Sequence, residues 1–258
     1  MSGKNKKKFT FIRRILFIIM IICLIPVGQA YVASAKHEKQ SEELRNLLKT
    51  EDTAELFSSG KENSKQKILP KFEDLFRKNS DLAGWLKIQG TEIDYPVMQC
   101  ENDEYYLHHN FYREEDKYGC LYVRAIADLD TPGTNFIIYG HNMRDGSMFG
   151  ELNRYEKESF YKEHSVISFD TLYEKRTYQI IGVFHSTLYR EEEFPYYQFY
   201  QADTEEEFQE FYENVKKLSL YDTGEEAEYG DTFLTLSTCF GEEEEKRFVV
   251  VAKKCDAM

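Results

Sequence analysis

Short apolar runs separated by turn residues dominate the chain from residue 86 onward. Runs of this length, bounded by Gly, Pro, Asn and Asp, predict β-strands. Eight such segments occur: 86–88, 93–97, 120–123, 136–139, 166–172, 177–185, and two nearer the C-terminus at about 235–239 and 247–251. Regularly spaced short strands favour a sandwich or a barrel.

Helical spacing of apolar residues appears before and within this strand-rich region. The spacing over 72–86 predicts one or two short amphipathic helices packed on the domain, with Trp85 as a core residue. A second helical pattern runs from Phe208 to Leu218. It follows Thr204-Glu205-Glu206-Glu207, which matches a capping box. We therefore expect a helix between the sixth and seventh strands.

The N-terminal segment has a different character. An apolar run from Ile15 to Val27 continues weakly to Ala35 and is long enough to cross a bilayer. The first 35 residues carry six Lys or Arg and no acidic residue, which predicts a cytoplasmic N-terminus and a single membrane anchor. Ala33-Ser34-Ala35 also fits a signal-peptidase site, so cleavage remains an alternative.

The remaining chain divides into a polar segment and a domain. Residues 36–67 are charged and poor in large apolar side chains, which is typical of a stalk. Residues 68–258 hold all the predicted strands. Either fate of the N-terminal segment places this domain outside the cytoplasm. Beyond residue 35, 27 basic residues stand against 46 acidic ones, a formal net charge near −19, which disfavours a nucleic-acid partner.

One cysteine stands at the end of a predicted strand with polar neighbours. Over 235–239, alternate side chains share a face, so Cys239 points off the core face together with Ser237. The seven residues between Cys239 and Arg247 include Gly241 and suit a hairpin connection. Pairing of the two strands would bring Arg247 to Cys239. A neighbouring guanidinium favours the thiolate and can stabilise a developing oxyanion, so the pair predicts a nucleophile with its electrostatic partner.

A thiol nucleophile needs a proton-transferring group, and His141 is the strongest candidate. It follows the apolar strand over 135–139 and the strand-breaking Gly140, so a rigid element positions it in an exposed loop. His108 and His109 lie in a polar turn, where solvated or capping roles are more common than catalysis. The other histidines have no supporting motif.

The remaining cysteines suggest neither a disulfide scaffold nor a metal site. Cys23 lies in the apolar segment, and Cys100, Cys120, Cys239 and Cys255 show no paired spacing. We favour free thiols, although a bridge between Cys100 and Cys120 remains open. Because no Cys or His cluster has metal-binding spacing, we expect no metal and no cofactor.

Several motifs together resemble those of the sortase family of membrane-anchored cysteine transpeptidases. The sequence TLSTC with Arg247 eight positions on, and YGHNM about a hundred residues upstream, carry the resemblance. The segments DLAGWLKI, TEIDYPV, YYL and MFGEL, in this order, resemble the class B branch. The similarity covers about residues 68–254.

The resemblance implies a mostly β fold: a closed eight-stranded sortase-type β-barrel with N-terminal helices. It also implies a helix-bearing insertion before the cysteine strand, which forms one wall of a substrate groove. The implied localisation is a single-pass membrane protein with a cytoplasmic N-terminus and an extracellular catalytic domain.

The implied reaction begins when Cys239 attacks the carbonyl after Thr in the C-terminal sorting motif of a surface protein. The resulting thioester passes to an amine of the cell-wall (peptidoglycan) precursor. His141 would transfer protons, and Arg247 would hold the substrate and the oxyanion. We also expect Ser237, Thr238 and Asn142 to contact the substrate.

Other functions remain as alternatives. A cysteine endopeptidase would release peptide to water, and a non-enzymatic surface binding module would make the motif coincidental. A papain-like peptidase normally has its cysteine before its histidine, whereas His141 here comes first. An L,D-type transpeptidase places Gly before the nucleophile, where this chain has Thr238.

Overall fold

The structure is a computed structural model that describes residues 3–55, 67–129, 133–190, 192–241, 243 and 245–255. Over 3–10 and 49–55 only the backbone is described. The chain divides into two units, Met1–Leu44 and Arg45–Met258.

The first unit is helical. One helix, α1 (Gly3–Glu55), contains the predicted apolar run, and Phe11–Leu48 is the one described stretch that is long and apolar enough to cross a membrane. Large apolar side chains from Phe11 to Val27 are exposed. The helix passes the predicted boundary at residue 35 and enters the predicted stalk. Residues 56–66 of that stalk lie outside the described residues, and the division into tail, stalk and domain stays a prediction.

The second unit contains all the described strands. Besides the end of α1, its helices are α2 (Pro70–Lys78), α3 (Tyr105–His108), α4 (Glu158–Glu163) and α5 (Glu205–Leu218), with 3₁₀ turns at Leu152–Glu156 and Tyr196–Gln198. Its strands are β1 (Leu82–Ile88), β2 (Asp94–Met98), β3 (Leu121–Tyr122), β4 (Asn135–Gly140), β5 (Val166–Thr171), β6 (Thr177–Thr187), β7 (Phe233–Cys239) and β8 (Lys246–Lys254).

These eight described strands form a closed barrel in the order β1-β2-β3-β4-β7-β8-β6-β5, in which β5 pairs with β1. The pairs β2–β3 and β4–β7 are parallel, and the other neighbours are antiparallel. The predicted closed barrel and all eight predicted strands are confirmed. Because β4 and β7 run in the same direction, their carboxyl ends meet at one rim of the barrel.

The prediction of helical structure as far as residue 86 is wrong. Only Pro70–Lys78 is helical, and β1 begins at Leu82. Nearly every residue of β1 is buried, so apolar and polar residues do not alternate along it. The spacing of its apolar residues therefore matched that of a helix by chance. Gly84 reflects the close packing of β5, since a Cβ there would lie 2.3 Å from the Asp170 carbonyl oxygen. Trp85 is buried as predicted, and its Nε1 donates to Asp94 Oδ1 at 2.6 Å.

The predicted insertion between β6 and β7 is confirmed, with α5 as its helix. Thr204 caps α5: its hydroxyl accepts from the Glu207 amide, and the Glu207 carboxylate accepts from the Thr204 amide. These bonds satisfy backbone donors that the first turn of a helix leaves unpaired.

The insertion covers the outer face of the barrel and builds a second apolar core there, called here the outer core. It joins side chains of β6, β7 and β8 to side chains of the insertion: Ile181, Phe184, Leu188, Tyr196, Ala202, Phe208, Phe211, Val215, Phe233, Val249 and Val251. Thr235 and Ser237 belong to the same face of β7. Their side chains are therefore buried, although they point away from the barrel interior.

Gly182 lets α5 approach β6 closely. A Cβ at Gly182 would lie 2.5 Å from Cγ1 of Val215, so Gly182→Ala forces the helix away from the strand. We expect Gly182→Ala to lower the free energy of unfolding by about 1–3 kcal/mol through overpacking. Adding Val215→Ala should restore part of this loss. The measurement is denaturant unfolding of the full chain in detergent, and additive losses in the double variant would contradict the close approach.

Candidate active site

Two strand pairings bring the three predicted catalytic residues to one rim of the barrel. Cys239, the last residue of β7, pairs with Arg247 of β8. On the other side of β7, Thr238 pairs with Gly140, the last residue of β4. One step further along these parallel strands, His141 is level with Cys239. We call His141, Cys239 and Arg247 the thiol row.

Two hydrogen bonds fix the ends of β4 and β7 against each other. The Thr238 hydroxyl donates to the Gly140 carbonyl at 2.8 Å, and Asn142 Nδ2 donates to the Cys239 carbonyl at 2.9 Å. They tie the backbone on both sides of His141 to the backbone at Cys239. The spacing between the imidazole and the thiol is therefore held by the main chain.

Gly140 occupies a position where no side chain fits. A Cβ would lie 2.4 Å from Cδ2 of Leu121 and 2.8 Å from the ring of Phe149. The loop that follows folds back, and the Phe149 amide donates to the His141 carbonyl at 2.9 Å. Close packing on both sides of Gly140 thus holds the backbone that carries His141.

The His141 ring is oriented by a contact that its sequence motif does not reveal. Its Nε2 donates to the Leu107 carbonyl at 2.7 Å. Because a carbonyl can only accept, the proton is on Nε2, and Nδ1 is the nitrogen that remains for proton exchange. Leu107 lies in α3, and the next residue, His108, has its ring centroid 6.5 Å from that of His141. His108 is exposed.

Cys239 is exposed at the end of β7, whereas Cys120 is buried and Cys100 is half-buried. Burial raises the pKa of Cys120, and burial is also the main cause of the raised pKa of Cys100. Both carry free thiols, as favoured from the sequence. A raised pKa reduces the thiolate fraction and hence nucleophilicity at neutral pH.

Cys239 and Arg247 lie close enough to two tyrosines, Tyr122 and Tyr196, to influence their pKa. Burial raises the pKa of Tyr122 to about 12, and Asp103 and a thiolate at Cys239 act in the same direction, while Arg247 opposes them. Burial likewise raises the pKa of Tyr196, whose hydroxyl lies 2.7 Å from the Ser237 hydroxyl. Both phenols therefore stay protonated at neutral pH and keep a proton to donate.

The three predicted substrate-binding residues also lie at this rim. Ser237 and Thr238 are buried and bonded to Tyr196 and to the Gly140 carbonyl, and Asn142 is half-buried and bonded to the Cys239 carbonyl. The bonds of Thr238 and Asn142 hold the ends of β4 and β7 together, and the bond of Ser237 joins β7 to the 3₁₀ turn at Tyr196. Contact with a substrate stays a prediction for all three.

Three further histidines of the barrel unit lie in structural contacts. His109 stacks on Tyr105 and its Nδ1 donates to the Tyr105 carbonyl at 2.8 Å. His164 Nδ1 donates to the Gln89 carbonyl at 2.9 Å, and His185 Nε2 lies 3.2 Å from Glu156. Among the residues that the structure describes, no group of three or more His, Cys, Asp or Glu could hold a metal ion.

Sequence reasoning missed the parts of this site that come from distant segments. Leu107 acts through its carbonyl, which no side-chain motif can reveal. Tyr196 is one of many aromatic residues in the insertion, and its position over Ser237 follows from the fold. Tyr122 stacks on Tyr139 across β3 and β4 with ring centroids 5.5 Å apart.

Comparison with known proteins gives a consistent family. The sortase domain matches residues 86–255. Sortase B of Staphylococcus aureus is 30% identical over 255 residues, 97% of this chain and 98% of the relative. Sortase B of Listeria monocytogenes is 33% identical over 197 residues, 74% of this chain and 76% of the relative.

A solved structure extends this similarity to the fold. The Staphylococcus aureus sortase B–substrate complex superposes with a TM-score of 0.77 at 28% identity, over 88% of this chain and 100% of that one. The barrel, the insertion before the cysteine strand and the match over most of the chain lead to one conclusion: this chain belongs to the sortase family, as a class B enzyme, a cysteine transpeptidase of surface proteins.

Proposed function

We propose that this enzyme cleaves a C-terminal sorting motif after Thr and joins the new carboxyl end to an amine of the cell-wall precursor. The thiol row carries the proposal, because it combines a thiol, an imidazole and a guanidinium at one exposed rim. The Cys239 thiolate attacks the peptide carbonyl. Collapse of the tetrahedral intermediate breaks the C–N bond, leaves a thioester on Cys239 and releases the downstream peptide as an amine.

In this proposal His141 moves the protons. Protonated imidazole gives its proton to the departing amine, and neutral imidazole accepts one from the incoming amine when that amine attacks the thioester. Both steps suit imidazole, because the same ring can act as a proton donor and as a proton acceptor. The contact between Nε2 and Leu107 supports the assignment, since it leaves Nδ1 for both transfers.

Arg247 is proposed to bind the carbonyl oxygen as it becomes an oxyanion. The pairing of Arg247 with Cys239 across β8 and β7 supports this role. A guanidinium offers several N–H donors in a fixed plane and stays charged at any relevant pH. It can therefore stabilise the negative charge that appears in each tetrahedral intermediate.

We propose further that α1 anchors the enzyme in the cell membrane, with its N-terminus in the cytoplasm and the barrel on the outer side. The exposed apolar side chains over 11–27 and the six basic residues near the N-terminus support this orientation. A retained anchor would keep the enzyme, the secreted surface protein and a lipid-linked amine at the same membrane. The tether raises their effective concentration.

Cys239→Ala should abolish cleavage of a sorting peptide, because Cys239 is the exposed thiol that pairs with Arg247, whereas Cys120 near the same rim is buried. We expect a loss in rate of about 10³-fold or more. The matched control is Cys100→Ala, which should stay near wild type. Peptide cleavage and amine-dependent product formation are followed together by chromatography and mass spectrometry. Full activity of Cys239→Ala would end the thiol-enzyme assignment, and products unaffected by added amine would favour an endopeptidase.

Arg247→Lys should lose about 10²- to 10³-fold in kcat although the charge is kept, because an ammonium cannot reproduce the planar donor geometry. Lys246→Arg is the matched control, since Lys246 is paired with Glu243 at 2.7 Å and adjoins the same position. We expect this control to retain wild-type kinetics. If Arg247→Lys kept its kcat, directed hydrogen bonding would be the wrong description of Arg247.

The full chain should remain in the membrane with its N-terminal sequence intact. Cells expressing it are fractionated, the mature N-terminus is determined, and protease is added from outside. We expect membrane-bound protein that begins near Met1 and loses its barrel to protease. Ala33→Leu with Ala35→Leu removes the cleavage pattern and should behave identically. A wild-type chain that starts at Lys36 and accumulates in the medium would contradict the anchor.

A further inference from the structure

The thiol row extends to a fourth strand. Arg247 pairs with Cys239 on one side and with Ser186 of β6 on the other. Directly opposed residues of antiparallel strands project to the same face, with Cβ atoms about 4.5–5.5 Å apart. Ser186, Arg247 and Cys239 therefore form one line across β6, β8 and β7, with the guanidinium side chain in the middle.

Ser186 is enclosed in an apolar environment. Along β6 and just beyond it, Phe184, Ser186 and Leu188 share a face, and both apolar residues belong to the outer core. Ser186 is 4% exposed. The apolar surroundings alone would favour alanine here, because alanine brings no polar group into the outer core.

The Ser186 hydroxyl has no hydrogen-bond partner among the residues that the structure describes. Burying a hydroxyl without a partner is unfavourable, so such groups are rare and call for an explanation. Arg247 is the charged side chain directly opposite. Its Nη1 donates to the carbonyl of Lys246 at 3.0 Å, which lies on its own strand.

We infer that Ser186 is a positioning residue for Arg247: its hydroxyl oxygen accepts a hydrogen bond from the guanidinium when that group turns from the Lys246 carbonyl toward the reacting carbonyl. A planar guanidinium can be held by an acceptor on one edge while its other edge faces the substrate. The Ser186 hydroxyl is on the side of Arg247 away from Cys239, where such an acceptor is needed. This inference rests on the proposed role of Arg247.

This arrangement predicts that Ser186→Ala affects the stability of the fold and the rate of the reaction differently. Removing a hydroxyl that is buried without a partner does not destabilise the fold, so Ser186→Ala should keep or raise the melting temperature. The same change deprives the guanidinium of its acceptor during catalysis. A hydrogen bond to a charged group corresponds to a rate effect of about 10-fold or more. A purely structural serine would give the opposite pattern, with stability reduced and kinetics unchanged.

The test compares wild type, Ser186→Ala and Ser186→Thr in the full chain in detergent, each with Arg247 and with Arg247→Lys. The reaction is cleavage and transfer of a sorting peptide with a short amine acceptor. We expect Ser186→Ala to lower kcat about 10-fold with little change in KM, and Ser186→Thr, which keeps the hydroxyl, to recover most of this loss. In the Arg247→Lys background Ser186→Ala should cause no further loss. Ser186→Cys, which keeps the volume but is a weak acceptor, replaces Ser186→Ala if the latter does not fold.

Each other outcome overturns the inference at a different point. Wild-type kcat in Ser186→Ala would mean that the hydroxyl does not act in the reaction. An equal loss in both backgrounds would mean that it acts independently of Arg247. Full activity of Arg247→Lys alone would remove the proposed role of Arg247 and the inference with it. A loss in Arg247→Lys without one in Ser186→Ala would leave the proposed function standing and remove only the role of Ser186.

Discussion

The site depends on the register of β7 between β4 and β8. Side chains along a strand alternate between faces, so a slip of one residue in either pairing would turn the Cys239 thiol or the Arg247 guanidinium to the other face. Two hydrogen bonds at the strand ends, from Thr238 and from Asn142, prevent such a slip next to Cys239. The catalytic geometry is therefore held mainly by backbone pairing, and the reactive side chain itself can remain exposed.

The outer core gives this register a second support. In the insertion, α5 and Tyr196 pack against the outer face of β6, β7 and β8. The thiol row belongs to the same face. Burial raises the pKa of the Tyr196 phenol, which lies 2.7 Å from the Ser237 hydroxyl and stays protonated. Ser186 is buried on the same face of β6 as Phe184, which belongs to the outer core.

Local patterns predicted the eight strands and favoured a sandwich or a barrel, and the family resemblance selected the closed barrel. The residues of the thiol row could be predicted because their signals lie within single segments. The strand ending at Cys239, the hairpin to Arg247 and the cap at Thr204 each require only a few neighbouring residues. The prediction of a helix over 82–86 is wrong because a strand that is buried on both faces shows no alternation of apolar and polar residues. Leu107 and Ser186 could not be found in the same way, since one acts through a carbonyl and the other through a cross-strand partner.

The most direct test of the account is to trap the acyl-enzyme. The full chain is mixed with a sorting peptide without an amine acceptor, quenched with acid, and examined by intact-mass and peptide-mapping mass spectrometry. We expect an added mass equal to the peptide up to its Thr, on the fragment that contains Cys239, and loss of that mass when an amine is supplied. Cleaved peptide with no adduct, or an adduct on another residue, would contradict it.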